Sequence, residues 1–406
     1  MATAPTFDLA ATPVPLPVQT SQLTLVCLPS LAPEALDATF ANLQLAFPDQ
    51  PLLIATPDVA PTSPRANVHV VPITPSASSL DGWVPTATDY LNAWTVAREH
   101  KPSAVLVLGP ETASVQPETL RRFAAGISNR NDLMLTRYPI GPHDALFNSA
   151  ILYPLTRALF AHRVRYPLPI DAALSSRMAE RLAAAAQRLT AVGQGDALIW
   201  PVAEASVAGF TVRDFAGGPR VLPHPAAEDL NSLLTNVAGS LFADIEAKAS
   251  FWQRGRLITA TPVANTPPPR QPSPDPNPID LAPMIESFRN AYTNLRELWS
   301  LVLPPNSLLS LKKLSVEPAE SFRMPDALWA RILYDFLLAY RLRTLNRGHL
   351  LGALTPLYLA WVASHLRLIA TDTALADEHI EAVAAAFEND KPYLVARWRW
   401  PDRFNP

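Results

Sequence analysis

Several polar side chains stand where an apolar run gives way to a loop, the positions at which an α/β sheet does chemistry. Gly109-Pro110-Glu111 follows the run Ala104–Leu108. Ligands of open α/β sheets sit beyond the carboxyl ends of the strands, so Glu111 is placed to face one. A divalent ion beside a diphosphate takes one or two carboxylates plus phosphate oxygens, and Glu111 could supply one of them. A solvated loop residue, or the first turn of the helix near Pro117, explains it as well. Asp171 could take a proton from a hydroxyl, given hydrogen-bond reach and a suitable pKa. It could equally cap the helix that begins near Ser175. Arg137 and Tyr138 follow the strand Asp132–Thr136. An arginine fork suits phosphate or carboxylate, and an ordinary ion pair accounts for it too. His143-Asp144 and His224 are further imidazole and carboxylate candidates, although loop histidines without a partner at fixed spacing are usually solvated or structural. Trp398 and Trp400 could stack on a flat ligand or pack onto a neighbouring domain.

The elements that must hold these residues follow from periodicity. Leu23–Leu28, Pro51–Thr56, Val68–Ile73, Ala104–Leu108 and Asp132–Thr136 read as strands. Between them lie segments with helical spacing: Pro33–Ala46, Thr86–His100 and Pro117–Ser128. Strands alternating with helices predict a mostly parallel sheet with both faces covered. Ile151–His162 and the alanine-rich Ser175–Val192 read as helices, Ala197–Val202 and Phe210–Asp214 as strand-like or buried. Asp229–Arg254 reads as one long amphipathic helix. Beyond residue 280 the pattern is wholly helical, with Asp280 as a cap, Pro325 opening another helix, and two more at about 350–369 and 374–389.

At 406 residues the chain exceeds one typical core, which predicts two domains. The expected division is a disordered tail at 1–20, an α/β domain at 21–258, a Pro-rich linker at 259–279 and a helical domain at 280–406. Forty-three prolines against 13 glycines imply stiff loops and leave little material for a glycine-rich phosphate cradle. No G-x-G-x-x-G, P-loop, G-x-S-x-G, H-E-x-x-H or C-x-x-C pattern occurs. A net charge of −3 without a basic stripe argues against nucleic acid. The single cysteine, Cys27, excludes an internal disulfide and, with no signal peptide legible, predicts a reducing, cytoplasmic setting. The longest apolar stretch, Leu350–Ala370, contains Pro356, His365 and Arg367, which favours a core helix over a membrane span.

The segment NSAILYPLTRALFAHRVRYPLPIDAALSSRMA (148–179), the run LTPLYLAWVAS (354–364) and the ending KPYLVARWRW resemble bacterial GT-A-fold glycosyltransferases related to mannosylglycerate and glucosylglycerate synthases. The resemblance implies a GT-A-like α/β domain followed by helices. It also implies transfer of a hexose from a nucleotide-sugar to a small hydroxy-acid acceptor. That family's metal-binding Asp-Ala-Asp falls on Gly109-Pro110-Glu111, so only Glu111 would remain as donor and metal ligand. Its Gly-Gly-Asp falls on Pro169-Ile170-Asp171, which makes Asp171 the catalytic or sugar-contacting candidate and narrows the pocket by replacing two glycines. Its Ser-Asp-Gly falls near Asp58, a donor-binding candidate. Arg137 and Tyr138 would meet the acceptor, and His224 would be the late metal ligand, displaced by about two positions. Mg²⁺ or Mn²⁺ would be the cofactor, and a homodimer or a paralogue the protein partner. With the acid pair absent, two functions follow: a metal-independent or weak transferase, or a non-catalytic binding or scaffolding relative.

Overall fold

The computed structural model describes residues 23–58, 67–76, 84–222, 230–254, 279–370 and 372–401. The expected tail, all but the last residue of the expected linker, and His224 lie outside the described residues.

Seven strands form one sheet: β1 (Thr24–Cys27), β2 (Leu52–Thr56), β3 (Val68–Pro72), β4 (Ala104–Val107), β5 (Leu133–Arg137), β6 (Ala172–Leu174) and β7 (Val212–Ala216). Their order is β3-β2-β1-β4-β6-β5-β7. β6 runs antiparallel to both its neighbours and every other pairing is parallel. Buried on both faces, β1, β2 and β4 read as unbroken apolar runs, as parallel strands do. Alternate residues still divide between the faces. Leu25, Cys27, Val105 and Val107 pack under α2 (Ala87–His100) and α5 (Ser176–Thr190). Val26, Ile54, Leu106 and Met134 pack under α1 (Pro33–Ala46) and α3 (Pro117–Ser128). The mixed α/β sheet followed by helices matches the class predicted from the sequence.

Proline positions the helix starts. α1, α3 and α6 (Pro201–Ala208) each carry it in the first turn, where its missing N–H has no partner to lose and its φ is already helical; in α4 (Tyr153–Phe160) Pro154 instead follows directly on the helical turn Asn148–Leu152.

A third core joins the two halves of the sequence. It runs from Ile151 and Leu155 through Trp252 to Trp299, Trp329, Trp361 and Trp398. Trp329 Nε1 donates to the Ala150 carbonyl at 2.8 Å. Arg157 of α4 pairs with Glu381 and Glu388 of the helix Leu375–Arg399. Trp398 packs edge-on against Trp252 with ring centroids 4.9 Å apart, and Trp400 is exposed. The stretch Leu350–Ala370 resolves into the buried helices Arg347–Gly352 and Thr355–Ile369. No described helix is long and apolar enough to cross a membrane.

Three local expectations differ from the structure. Ala197–Val202 is buried from Leu198 to Val202 but forms no strand: Leu198 makes one isolated bridge to Thr86, and Pro201 then opens α6. The expected helix over 229–254 is interrupted by a π-helical turn at Leu234–Ala238 and by a break at Lys248. β6 carries no β-branched residue and leaves no strand signal.

Candidate functional site

The parallel strands end at one edge of the sheet, and β6 starts there. Its first residue, Ala172, pairs with Val107 of β4 and Leu135 of β5. The residue before it, Asp171, therefore arrives between the end of β4 and the end of β5. Both are candidate site segments, brought together by one antiparallel strand.

Asp171 is fully buried, and its carboxylate is occupied from three sides. Oδ1 accepts from the Gly109 backbone N–H at 2.9 Å and from Arg220 Nη2 at 3.0 Å. Oδ2 accepts from Tyr138 Oη at 2.5 Å, and Arg220 Nε stands 2.9 Å away in ion-pair contact. A carboxylate offers about four lone-pair positions; hydrogen bonds occupy three of them, and the Nε contact adds charge. Both side chains of the ion pair are 0% exposed. Arg220 also donates to the Pro110 carbonyl at 2.7 Å, and its guanidinium lies 5.5 Å from the Tyr138 ring centroid. Burial, together with the Asp171 charge, pushes the Tyr138 hydroxyl well above the usual phenolic range. Ser175, not Asp171, caps α5: its Oγ accepts from the Met178 N–H.

Glu111 sits outside this cluster. It is exposed and in the left-handed region at φ +60°, a conformation that costs a non-glycine residue roughly 1 kcal/mol. The turn around it holds that shape: Thr112 Oγ1 donates to the Gly109 carbonyl at 2.6 Å and Ser114 Oγ to the Glu111 carbonyl at 2.7 Å. Asp58 turns inward, accepting from Ser30 Oγ at 2.8 Å and the Leu31 N–H at 2.7 Å. Arg137 Nε lies 3.3 Å from Asp214 Oδ2 on the neighbouring strand β7, and burial raises the Asp214 carboxyl although Arg137 opposes it. Asp144 accepts from the Gly141 N–H at 2.7 Å, and His143 is half-buried beside it. The structure thus gathers Asp171 and Tyr138, with the Gly109-Pro110 backbone, into one cluster. Asp58, Glu111 and Arg137 each stand apart from it.

Arg220, four residues before His224 in the run Gly217–His224, is the residue that sequence reasoning missed. The glycines before it let that segment lie flush on the sheet edge: a Cβ on Gly217 would stand 2.5 Å from Thr136 Oγ1. Gly109 is equally confined, since a Cβ there would meet Ile170 Cγ2 at 2.5 Å. Ile170 therefore covers the end of β4.

The described residues make no complete site for a divalent cation by themselves. No group of three or more His, Cys, Asp or Glu among the described residues could hold one. Asp171, the acid nearest the end of β4, already faces a guanidinium. The crevice over β1 and β4, lined by Cys27, Pro29, Asp89 and Leu108, has a volume of about 20 Å³, enough for one water molecule. A second cavity, of about 190 Å³, opens beside β5 between Tyr138, Phe147, Leu168 and Ile170.

No protein-family model and no curated protein matches the chain. Among solved structures, glucosyl-3-phosphoglycerate synthase from Mycobacterium tuberculosis, in complex with Mn²⁺, UDP and glucosyl-3-phosphoglycerate, is similar at 13% identity. The match covers 56% of this chain and 81% of that one, with a TM-score of 0.33. The same enzyme in complex with UDP gives 13%, 56%, 80% and 0.34, and a mycobacterial protein 13%, 56%, 76% and 0.32. Likeness at this level assigns no chemistry.

Proposed function

We propose that this chain is a non-catalytic relative of the GT-A-fold nucleotide-sugar transferases and acts as a binding protein. The observation that carries the proposal is the buried Asp171–Arg220 pair. Where a transferase needs an open carboxylate at the sugar and acids for a metal, this chain has a buried carboxylate that already accepts three hydrogen bonds from within the chain. A fixed guanidinium occupies the space beside it. Catalysis of glycosyl transfer needs groups poised toward the developing charge on the leaving diphosphate, and Arg220 is poised toward Asp171 and the Pro110 carbonyl instead. Ile170 over Gly109 and the small crevice above β1 and β4 support the same proposal.

Thermal-shift titration with UDP- and GDP-sugars, with and without Mn²⁺, tests it. The expected outcome is no metal-dependent stabilisation. A shift that requires Mn²⁺ and disappears in Glu111→Ala would overturn the proposal and restore hexose transfer to a small hydroxy acid.

A further inference from the structure

We infer that the cavity beside β5 is a binding site for a small uncharged apolar molecule, about the size of one substituted aromatic ring. This rests on the non-transferase proposal above, because a hydroxy-acid acceptor would use the same space.

Size comes first. The cavity measures about 190 Å³. An apolar cavity of roughly 150 Å³ stays free of water and takes up benzene or xenon, so this one accommodates on the order of six to eight carbon atoms. Lining chemistry comes second. The walls are chiefly Ile140, Phe147, Leu152, Leu168, Ile170 and Leu233. Of the polar side chains in the wall, Thr136, Tyr138, Asn148, Tyr166 and Asp171, three already donate a hydrogen bond elsewhere. Thr136 Oγ1 donates to the Phe215 carbonyl, Tyr138 Oη to Asp171, and Asn148 Nδ2 to the Arg165 carbonyl. A sugar or hydroxy acid entering here would give up hydration for few new hydrogen bonds, a cost of a few kcal/mol per polar group.

Charge comes third. The one ionised group in the wall, Asp171, is matched by Arg220. Arg137, next in sequence to the lining Tyr138, lies against Asp214. The site therefore favours neither an anion nor a cation. Backbone geometry comes fourth. Asn148–Leu152 is a π-helical turn, and both its ends line the cavity. Such turns insert an extra residue into a helix and occur frequently at functional sites. Here the turn places Asn148 and Leu152 on the same wall.

The test uses the full chain with toluene and indole as apolar probes and glycerate as the charged control, followed by calorimetry and thermal shift. Toluene and indole should bind saturably, with Kd on the order of 0.1–1 mM for ligands of this size, and glycerate should not bind. Leu168→Phe and Leu152→Phe, which fill the cavity, should each weaken toluene by at least about tenfold. As a measurement free of substitutions, the methyl resonances of Leu152, Leu168 and Ile170 in the unaltered protein should move under xenon pressure. The inference is overturned if neither apolar probe saturates, if glycerate binds more tightly than toluene, if a folded filled variant binds toluene undiminished, or if those methyls do not respond to xenon. A Mn²⁺-dependent nucleotide-sugar shift with toluene binding intact would remove the functional proposal alone. Absent toluene binding without such a shift would remove the cavity assignment alone.

Discussion

Replacing Arg220 by methionine tests whether the sheet edge is held by an inward-facing ion pair. The substitution keeps an unbranched apolar stem and deletes the guanidinium. Asp171 then loses the Nη2 hydrogen bond at 3.0 Å and the Nε contact at 2.9 Å, and the Pro110 carbonyl loses its donor at 2.7 Å. Neither side chain of the pair is exposed, so water cannot replace what is lost. Removing one partner of a buried pair costs about 3–5 kcal/mol, because the other charge stays buried and uncompensated. With an unfolding entropy of ~2.1 cal/mol/K per residue over 406 residues, that loss lowers Tm by about 4–6 °C. Adding Asp171→Asn removes the stranded charge while keeping an acceptor for the Gly109 N–H. The double variant should therefore recover at least about 1.5 kcal/mol relative to additivity. Reversible melts followed by circular dichroism measure both. A fall in Tm below about 1 °C for Arg220→Met, or strict additivity in the double variant, would refute the buried-clamp argument.

Gly109→Ala should destabilise by about 1–3 kcal/mol, since the new Cβ would press on Ile170 Cγ2. Urea melts should show a smaller loss in an Ile170→Ala background, and equal losses in both backgrounds would place the strain elsewhere. Asp335, buried in the helix Asp326–Leu342, has its carboxyl raised to about 7 by burial, against the opposing Tyr393 hydrogen bond and the Arg397 and Arg331 charges. Between about pH 4 and pH 7 the folded chain then holds more protons at this group than the unfolded chain does, so the contribution of Asp335 to stability falls as pH rises through that window. The stability of wild type relative to Asp335→Asn should decline over that range in urea melts at stepped pH. A difference that stays flat or grows with pH contradicts the assignment.

What the sequence disclosed depended on how local each signal was. Leu23–Leu28 and Ala104–Leu108 were legible as strands because burial on both faces makes them continuous apolar runs. The proline starts of α1 and α3 were legible because a first-turn proline fixes φ locally. Ala172–Leu174 carried no such signal: its strand identity comes from its neighbours β4 and β5, not from its own residue types. Leu234–Ala238 keeps a helical pattern of apolar residues, so the π turn that interrupts it changes the backbone and leaves the periodicity readable as one helix.

The same distinction separates the address of the site from its chemistry. Position along the strands placed Asp58, Glu111, Arg137 and Tyr138 at the sheet edge, and the family resemblance singled out Asp171. Which way each charge faces depends on a partner far off in sequence. Asp171 meets an arginine 49 residues later, Arg137 an aspartate on β7, and Asp58 the loop after β1. A transferase and a binding protein can share every one of these positions. They differ in whether the edge carboxylates keep lone pairs for a ligand. Asp58 and Asp171 accept hydrogen bonds from within the chain and Asp214 faces Arg137 in ion-pair contact, which leaves Glu111 as the outward-facing acid among these candidates. A single exposed carboxylate on a stiff turn leaves most of a metal's coordination to the diphosphate and water. An adjacent cavity with apolar walls can still discriminate a ligand by shape and by its lack of charge. Asp171, held by Arg220, and Ile170, packed against Gly109, both line that cavity, so one cluster shapes the sheet edge and the pocket beside it.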